Sequence, residues 1–300
     1  TRIRDAGADW VALTPFASLA DPRSPVLGNS TDAGPDGESD EAVCEAAARA
    51  HGFGLRVWLK PQVWTRGWEG ALAFTPSGWR QFFDGYDDIL IHWALLADRE
   101  GMDGLFVGHE LASSTAADPA RWREMIGRVR KVYAGPLSYD ANWDEVARVS
   151  FWDALDLIGV SFYAPLSDRP THDPGQLEAG ATKALTALHE VAKKTGRPVL
   201  IAELGYPPTV NAAQRPWDGT AAAADTDLQR KCLEAAIAAM DPHEWLAGAY
   251  FWRWGSGPRG HDDPFDPRGL PAEDVIMRAL KAWQGRPVRA PAPPAPAKGR

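Results

Sequence analysis

Short apolar runs alternate with longer amphipathic segments along nearly the whole 300-residue chain. The apolar runs are typical of strands buried on both faces, and the amphipathic segments are typical of helices. Such alternation predicts a parallel sheet whose strands are connected through helices. Seven strands are predicted, beginning near residues 10, 55, 104, 136, 155, 198 and 248.

The length and regularity of this pattern favour a (β/α)8 TIM barrel over an open Rossmann-type sheet. A closed barrel needs eight strands, and the chain begins inside what is predicted as the first helix. The first strand is therefore expected to be missing from the N-terminus. Residues 1–286 are expected to form the barrel domain, and residues 287–300, rich in proline and alanine, a tail or linker without a core.

Two of the predicted strands end in a glutamate. Glu203 follows the apolar run at 198–202, and Glu110 closes the run at 104–109. Burying a carboxylate in such a run costs free energy unless the charge is paired or hydrogen-bonded. The carboxyl ends of barrel strands, however, are where active sites form. If the missing strand is counted first, these residues end the fourth and seventh strands, which face each other across the barrel mouth.

Two converging carboxylates can cleave a glycosidic bond. One protonates the leaving oxygen while the other attacks the anomeric carbon, and retaining enzymes hold the two carboxyl groups about 5–5.5 Å apart. The alternative is that each glutamate is the buried partner of a cation, for instance Lys60 or Arg253.

Composition narrows the range of functions. The net charge of −8 argues against nucleic acid as the main partner, and 14 tryptophans suggest sugar rings stacked on indoles, although core packing also uses tryptophan. No apolar run reaches the length of a membrane span. Cys44 and Cys232 lack CxxC spacing and indicate neither a metal motif nor a disulfide framework. The chain starts at Thr1, which fits a processed or truncated N-terminus, and a secreted or periplasmic location is compatible with this start. The sequence does not indicate an oligomeric state.

Eight stretches in the same order carry a family resemblance: Gly7–Leu13, Leu59–Val63, Val107–Leu111, Ser138–Asp144, Phe151–Val160, Tyr163–Leu166, Ala202–Tyr206 and Gly269–Glu273. Through them the chain resembles glycoside hydrolase family 113, the β-mannanase-type barrels of clan A. The resemblance implies that Glu110 is the acid/base and Glu203 the nucleophile. It also implies that Tyr163 hydrogen-bonds the nucleophile and that Trp252 or Trp254 forms the aromatic floor under the cleaved sugar.

Five further residues are candidates for substrate binding. Much of clan A has asparagine before the acid/base, contacting the sugar 2-hydroxyl, and here that position is His109. Lys60 could orient substrate hydroxyls or form a barrel-interior ion pair. Trp64 and Trp68, in a predicted loop, could stack on sugars or serve in packing, and stacking on sugars is favoured. Asn142 could line the cleft or serve only as a turn residue.

Together these features predict a retaining β-glycoside hydrolase acting on β-1,4-mannan or manno-oligosaccharides, without a cofactor or metal. One alternative is a clan A hydrolase of another β-linked glycan, and another is a catalytically silent carbohydrate-binding barrel. Endo or exo action depends on whether the loops leave an open cleft or close a pocket. The loops concerned are predicted at residues 17–39, 164–176, 207–221 and 255–270.

Overall fold

A computed structural model describes residues 2–28, 39–220, 223–241, 243–255 and 264–286. The described residues form nine strands: β1 (Trp10–Leu13), β2 (Phe16–Leu19), β3 (Arg56–Leu59), β4 (Gln62–Thr65), β5 (Gly104–His109), β6 (Leu137–Asn142), β7 (Leu157–Ser161), β8 (Val199–Leu204) and β9 (Leu246–Phe251). They also form eight α-helices: α1 (Arg2–Asp5), α2 (Asp40–Gly52), α3 (Pro76–Arg99), α4 (Ala112–Ala117), α5 (Pro119–Val132), α6 (Pro174–Thr195), α7 (Thr226–Met240) and α8 (Pro271–Trp283). The proposed tail at 287–300 lies outside the described residues.

Seven of the strands belong to one sheet, in the order β1-β3-β5-β6-β7-β8-β9. The order of the strands in this sheet is therefore their order along the chain, and all its connections but that from β6 to β7 contain an α-helix. Strands β2 and β4 pair with each other in a separate two-stranded parallel sheet. The seven-stranded sheet agrees with the seven strands predicted from the sequence.

The described residues divide into two compact units. The unit at residues 10–159 contains the parallel pairs β1–β3, β3–β5 and β5–β6. Helix α3 packs against α5 and β5, and it carries a buried aromatic stripe formed by Phe82, Phe83, Tyr86 and Trp93. Phe82 stacks on Tyr86, whose hydroxyl donates to the Val107 carbonyl (2.9 Å). The stripe is therefore core and does not line a ligand site.

The second unit comprises residues 2–9 and 160–286. Here β8 and β9 pair in parallel, α6 packs on α7, and α7 packs on α8. Strand β8 is buried along its whole length. Its apolar residues account for that burial, and its position is the one that the sequence predicted.

Several predicted boundaries were wrong. The strand predicted to begin near residue 55 ends at Leu59, and a second strand, β4, begins at Gln62, because Pro61 between them has no N–H for a ladder. Strands β2 and β4 each begin in a predicted strand and continue into residues predicted as loop. Trp64 is thus a strand residue, and Asn142 is the last residue of β6.

No helix in the described part of the chain is long and apolar enough to cross a membrane.

Candidate active site

Glu203 lies near the carboxyl end of β8 and is almost fully buried. The Tyr163 hydroxyl donates a hydrogen bond to its Oε2 (2.8 Å), and the backbone N–H of Phe162 donates to its carbonyl (2.8 Å). The Tyr163 ring meets Phe265 edge to face, with centroids 6.1 Å apart. A phenol donor favours the ionised carboxylate and fixes the direction in which it points. This is the arrangement that an oxygen nucleophile needs.

Trp252 follows the end of β9 in the same unit as Glu203. Its backbone N–H donates to the Leu204 carbonyl (2.9 Å), which ties it to the end of β8. A Cβ at Gly205 would overlap the Trp252 carbonyl, so the close approach of these two segments requires glycine there. Trp252 and Trp254 are both partly exposed. The role of either as the floor of a sugar subsite stays a prediction.

Glu110 directly follows β5 and is also buried. Its φ of +44° makes it the one non-glycine residue with positive φ among the described residues. Such a backbone costs about 1–3 kcal/mol and is concentrated at functional sites. The Glu110 N–H donates to the Asp140 carbonyl (2.8 Å), which holds the turn against β6. The fold thus maintains a strained conformation at the predicted acid/base.

Two adjacent residues of the segment after β4 contact two adjacent residues at the end of β5, His109 and Glu110. The Trp68 indole Nε1–H donates to Glu110 Oε2 (2.7 Å), and His109 Nδ1 lies 2.9 Å from Glu69 Oε1. An ionised carboxylate only accepts hydrogen bonds, so this contact places a proton on Nδ1 of His109. The sequence placed Trp68 in the site as a stacking residue and did not single out Glu69.

Lys60 and Asp140 form a buried ion pair, with Nζ and Oδ2 2.8 Å apart and both side chains no more than 1% exposed. His109 Nε2 lies 3.8 Å from the same Asp140 oxygen. Lys60 was predicted either to orient substrate hydroxyls or to form an interior ion pair. The ion pair is present, with Asp140 as a partner. Asp140 itself was not among the predicted site residues.

Glu69, His109 and Glu110 each offer one ligand atom, and these atoms all lie within 4.8 Å of one another. The hydrogen bonds from Trp68 to Glu110 and between His109 and Glu69 explain this closeness without an ion. The cluster therefore gives no independent sign of a metal site.

The sequence profile of Glycoside Hydrolase Family 113 matches residues 1–264, most of the chain. The chain belongs to glycoside hydrolase family 113. As a member, it is a glycoside hydrolase, an enzyme that acts on O-glycosyl bonds of a carbohydrate substrate. Among curated proteins, none matches the chain at a significant level.

Solved structures of this family resemble the chain closely. The GH113 β-mannanase AaManA from Alicyclobacillus acidocaldarius, in complex with ManMIm, is 31% identical with a TM-score of 0.81, over 93% of this chain and 89% of that one. A GH113 β-1,4-mannanase is 23% identical with a TM-score of 0.81, over 93% and 90% of the two chains, and shows the fold. The endo-β-1,4-mannanase from Thermotoga petrophila has the same type of fold at 13% identity, a TM-score of 0.56 and coverage of 94% and 72%. The predicted TIM-barrel fold class and the family resemblance are confirmed.

The remaining candidates of this family 113 chain lie apart from these contacts. Trp64 on β4 is 53% exposed and presents its indole to solvent. Asn142 Oδ1 accepts from the Trp143 N–H (2.9 Å), which is the contact of a turn residue. Glu145, close behind it, is buried and hydrogen-bonded to the Thr115 hydroxyl (2.6 Å). Sugar contacts of Trp64 and Asn142 stay predictions.

Proposed function

We propose that the protein is a retaining β-mannanase that hydrolyses β-1,4-mannan or manno-oligosaccharides, with Glu203 as nucleophile and Glu110 as acid/base. The observation that carries this proposal is the hydrogen bond from the Tyr163 hydroxyl to Glu203 Oε2. It supplies a buried, oriented carboxylate at the carboxyl end of a barrel strand, where catalytic residues of this fold occur. The mannan substrate is inferred from the 31% identical β-mannanase.

In the first step, a Glu203 carboxylate oxygen forms a bond to the anomeric carbon while the bond from that carbon to the glycosidic oxygen breaks. The electron pair stays on the departing oxygen, which takes the proton of Glu110. In the second step, Glu110 removes a proton from water, the water oxygen bonds to the anomeric carbon, and Glu203 leaves. Two inversions retain the β-configuration.

Neighbouring residues support these roles. Tyr163 donates its hydroxyl hydrogen to Glu203 Oε2, a contact that orients the carboxylate for attack on the anomeric carbon. The positive φ of Glu110 turns the acid/base out of the strand direction, and His109, which is held by Glu69, offers its imidazole to a sugar hydroxyl. Trp64 and Trp68 add exposed indole surface on the segment after β3, which suits sugar rings.

Three experiments test this assignment. A mannosyl fluoride with fluorine at the sugar 2-position should trap a glycosyl-enzyme, and mass spectrometry of the digest should place the label on Glu203. Nuclear magnetic resonance should show β-mannose products first. Glu110→Ala should regain turnover of an aryl β-mannoside when azide is added, because azide needs no base, and should give a β-mannosyl azide.

Other outcomes separate the alternatives. Initial α-products would exclude retention, and a label elsewhere would exclude Glu203 as the nucleophile. Cleavage of another β-glycan with mannan untouched would support a hydrolase of different sugar preference. Binding of glycan with no cleavage by the unmodified protein would support the carbohydrate-binding alternative.

A further inference from the structure

The short segment that follows β4 holds the predicted acid/base from its side. Trp68 precedes a 3₁₀ turn at Glu69–Ala71, and its indole N–H donates to Glu110 Oε2 (2.7 Å). Glu69, the next residue, contacts His109, the residue before Glu110. The turn packs against α4, the helix that begins just after Glu110. His109 and Glu110 are therefore both in contact with one short segment, through Glu69 and Trp68.

Gly70 gives the indole the space that this contact requires. A Cβ at Gly70 would overlap three ring atoms of Trp68, so the ring lies folded over the glycine. The φ of Gly70 is not positive, so alanine could adopt its backbone conformation. Alanine at this position would thus displace the indole while leaving the tryptophan in the chain.

We propose that Trp68 is a positioning residue for Glu110, and this inference rests on the proposed function of Glu110 as acid/base. The indole N–H can only donate a hydrogen bond. In the protonated carboxyl group the carbonyl oxygen is the better acceptor, so the contact assigns that role to Oε2 and places the proton on Oε1. Trp68 therefore selects which Glu110 oxygen delivers the proton to the leaving group. It also fixes the plane of the Glu110 carboxyl group.

A leaving-group test isolates this role. A dinitrophenyl leaving group departs as a stable anion and needs little protonation, whereas a phenyl leaving group depends on the acid. Positioning of a general acid should therefore affect kcat/KM for a phenyl β-mannobioside much more than for the dinitrophenyl compound. General acids contribute about 10²–10⁴-fold, so losing the orientation should cost on the order of 10-fold.

Two variants perturb the contact in different ways. Trp68→Phe keeps an aromatic face for sugar but removes the N–H, and Gly70→Ala keeps the N–H but moves the ring. Both should lower kcat/KM for the phenyl substrate on the order of 10-fold, and for the dinitrophenyl substrate by no more than about 2–3-fold. Trp283→Phe, at the end of α8, is the matched control, because the Trp283 indole N–H also donates to a carboxylate, Oδ1 of Asp241 just after α7 (2.8 Å). This variant should leave kcat/KM unchanged for both substrates.

Glu110→Gln separates failure of this inference from failure of the proposed function. If Glu110→Gln shows the strong leaving-group dependence and Trp68→Phe does not, the positioning role is wrong and the acid/base assignment stands. Equal losses for both substrates in Trp68→Phe would likewise overturn positioning in favour of substrate binding. If Glu110→Gln itself shows no leaving-group dependence, the proposed function fails first.

Discussion

Glu145 gives the sharpest test of the energetics of this fold. It is buried, and its carboxylate accepts hydrogen bonds from the Thr115 and Tyr139 hydroxyls and from the Asn142 N–H. Burial is the largest influence, and despite these donors it raises the pKa of Glu145 from 4.5 to about 7. One pH unit corresponds to 1.36 kcal/mol, so ionising this group in the folded protein costs about 3 kcal/mol.

The sign of the effect follows from proton binding. Between pH 4.5 and about 7 the folded protein keeps a proton on Glu145 that the unfolded chain releases. The contribution of this group to stability is therefore fully present below pH 4.5 and is lost as pH rises through 7. Glu145→Gln keeps the shape and removes the titration. Relative to the unmodified protein, the variant should gain about 3 kcal/mol of unfolding free energy as pH is raised from about 4 to 8.

Denaturant unfolding of both proteins at a series of pH values measures this difference, in which all other titrating groups cancel. Glu178→Gln, at an exposed position on α6, controls for the loss of a surface carboxylate. The reasoning is refuted if the difference between Glu145→Gln and the unmodified protein is constant with pH, or if it changes in the opposite direction.

Two further predictions concern packing and the buried ion pair. Gly180→Ala should destabilise the protein by about 1–3 kcal/mol in denaturant unfolding, because a Cβ there would overlap the Leu166 carbonyl. Gly127→Ala, on α5 with no atom within 4 Å of its Cβ, should stabilise by about 0.5–1 kcal/mol; equal effects at both positions would contradict the steric argument. Lys60→Met or Asp140→Asn should each cost about 3–5 kcal/mol, because the partner's charge stays buried. The double variant should lose less than the sum, and strict additivity in this cycle would show that the pair is not coupled.

The sequence predicted the main sheet because each of its strands carries its own signal. Buried parallel strands read as apolar runs, and helices such as α8 begin at a proline and end where their amphipathic pattern ends. Strands β2 and β4 lack that signal. Each is only four residues long and mixes exposed and buried positions, so its sequence pattern is similar to that of a loop. The two strands pair with each other in a separate sheet, and one sequence does not reveal that pairing.

The strand-end glutamates were predictable for the same reason, since a charge at the end of an apolar run has to be explained. Glu69 and Asp140 carried no such signal. Glu69 lies in a short 3₁₀ turn outside any strand, and its partner His109 is 40 residues away. Asp140 is 80 residues from Lys60, and the pairings of β3 with β5 and of β5 with β6 are needed to bring the two together. Contacts of this kind depend on register, which one sequence does not reveal.

The conformation of Glu110 explains why its contacts could not be inferred from strand periodicity. Along a strand, neighbouring side chains point to opposite faces, so His109 and Glu110 would be expected to contact different parts of the protein. The strand ends at His109, and the positive φ of Glu110 breaks the alternation. Both side chains can then reach adjacent residues, Glu69 and Trp68, of a single turn. The backbone strain at Glu110 therefore has a structural consequence: it allows one turn to hold the proposed acid/base and its neighbour His109 together.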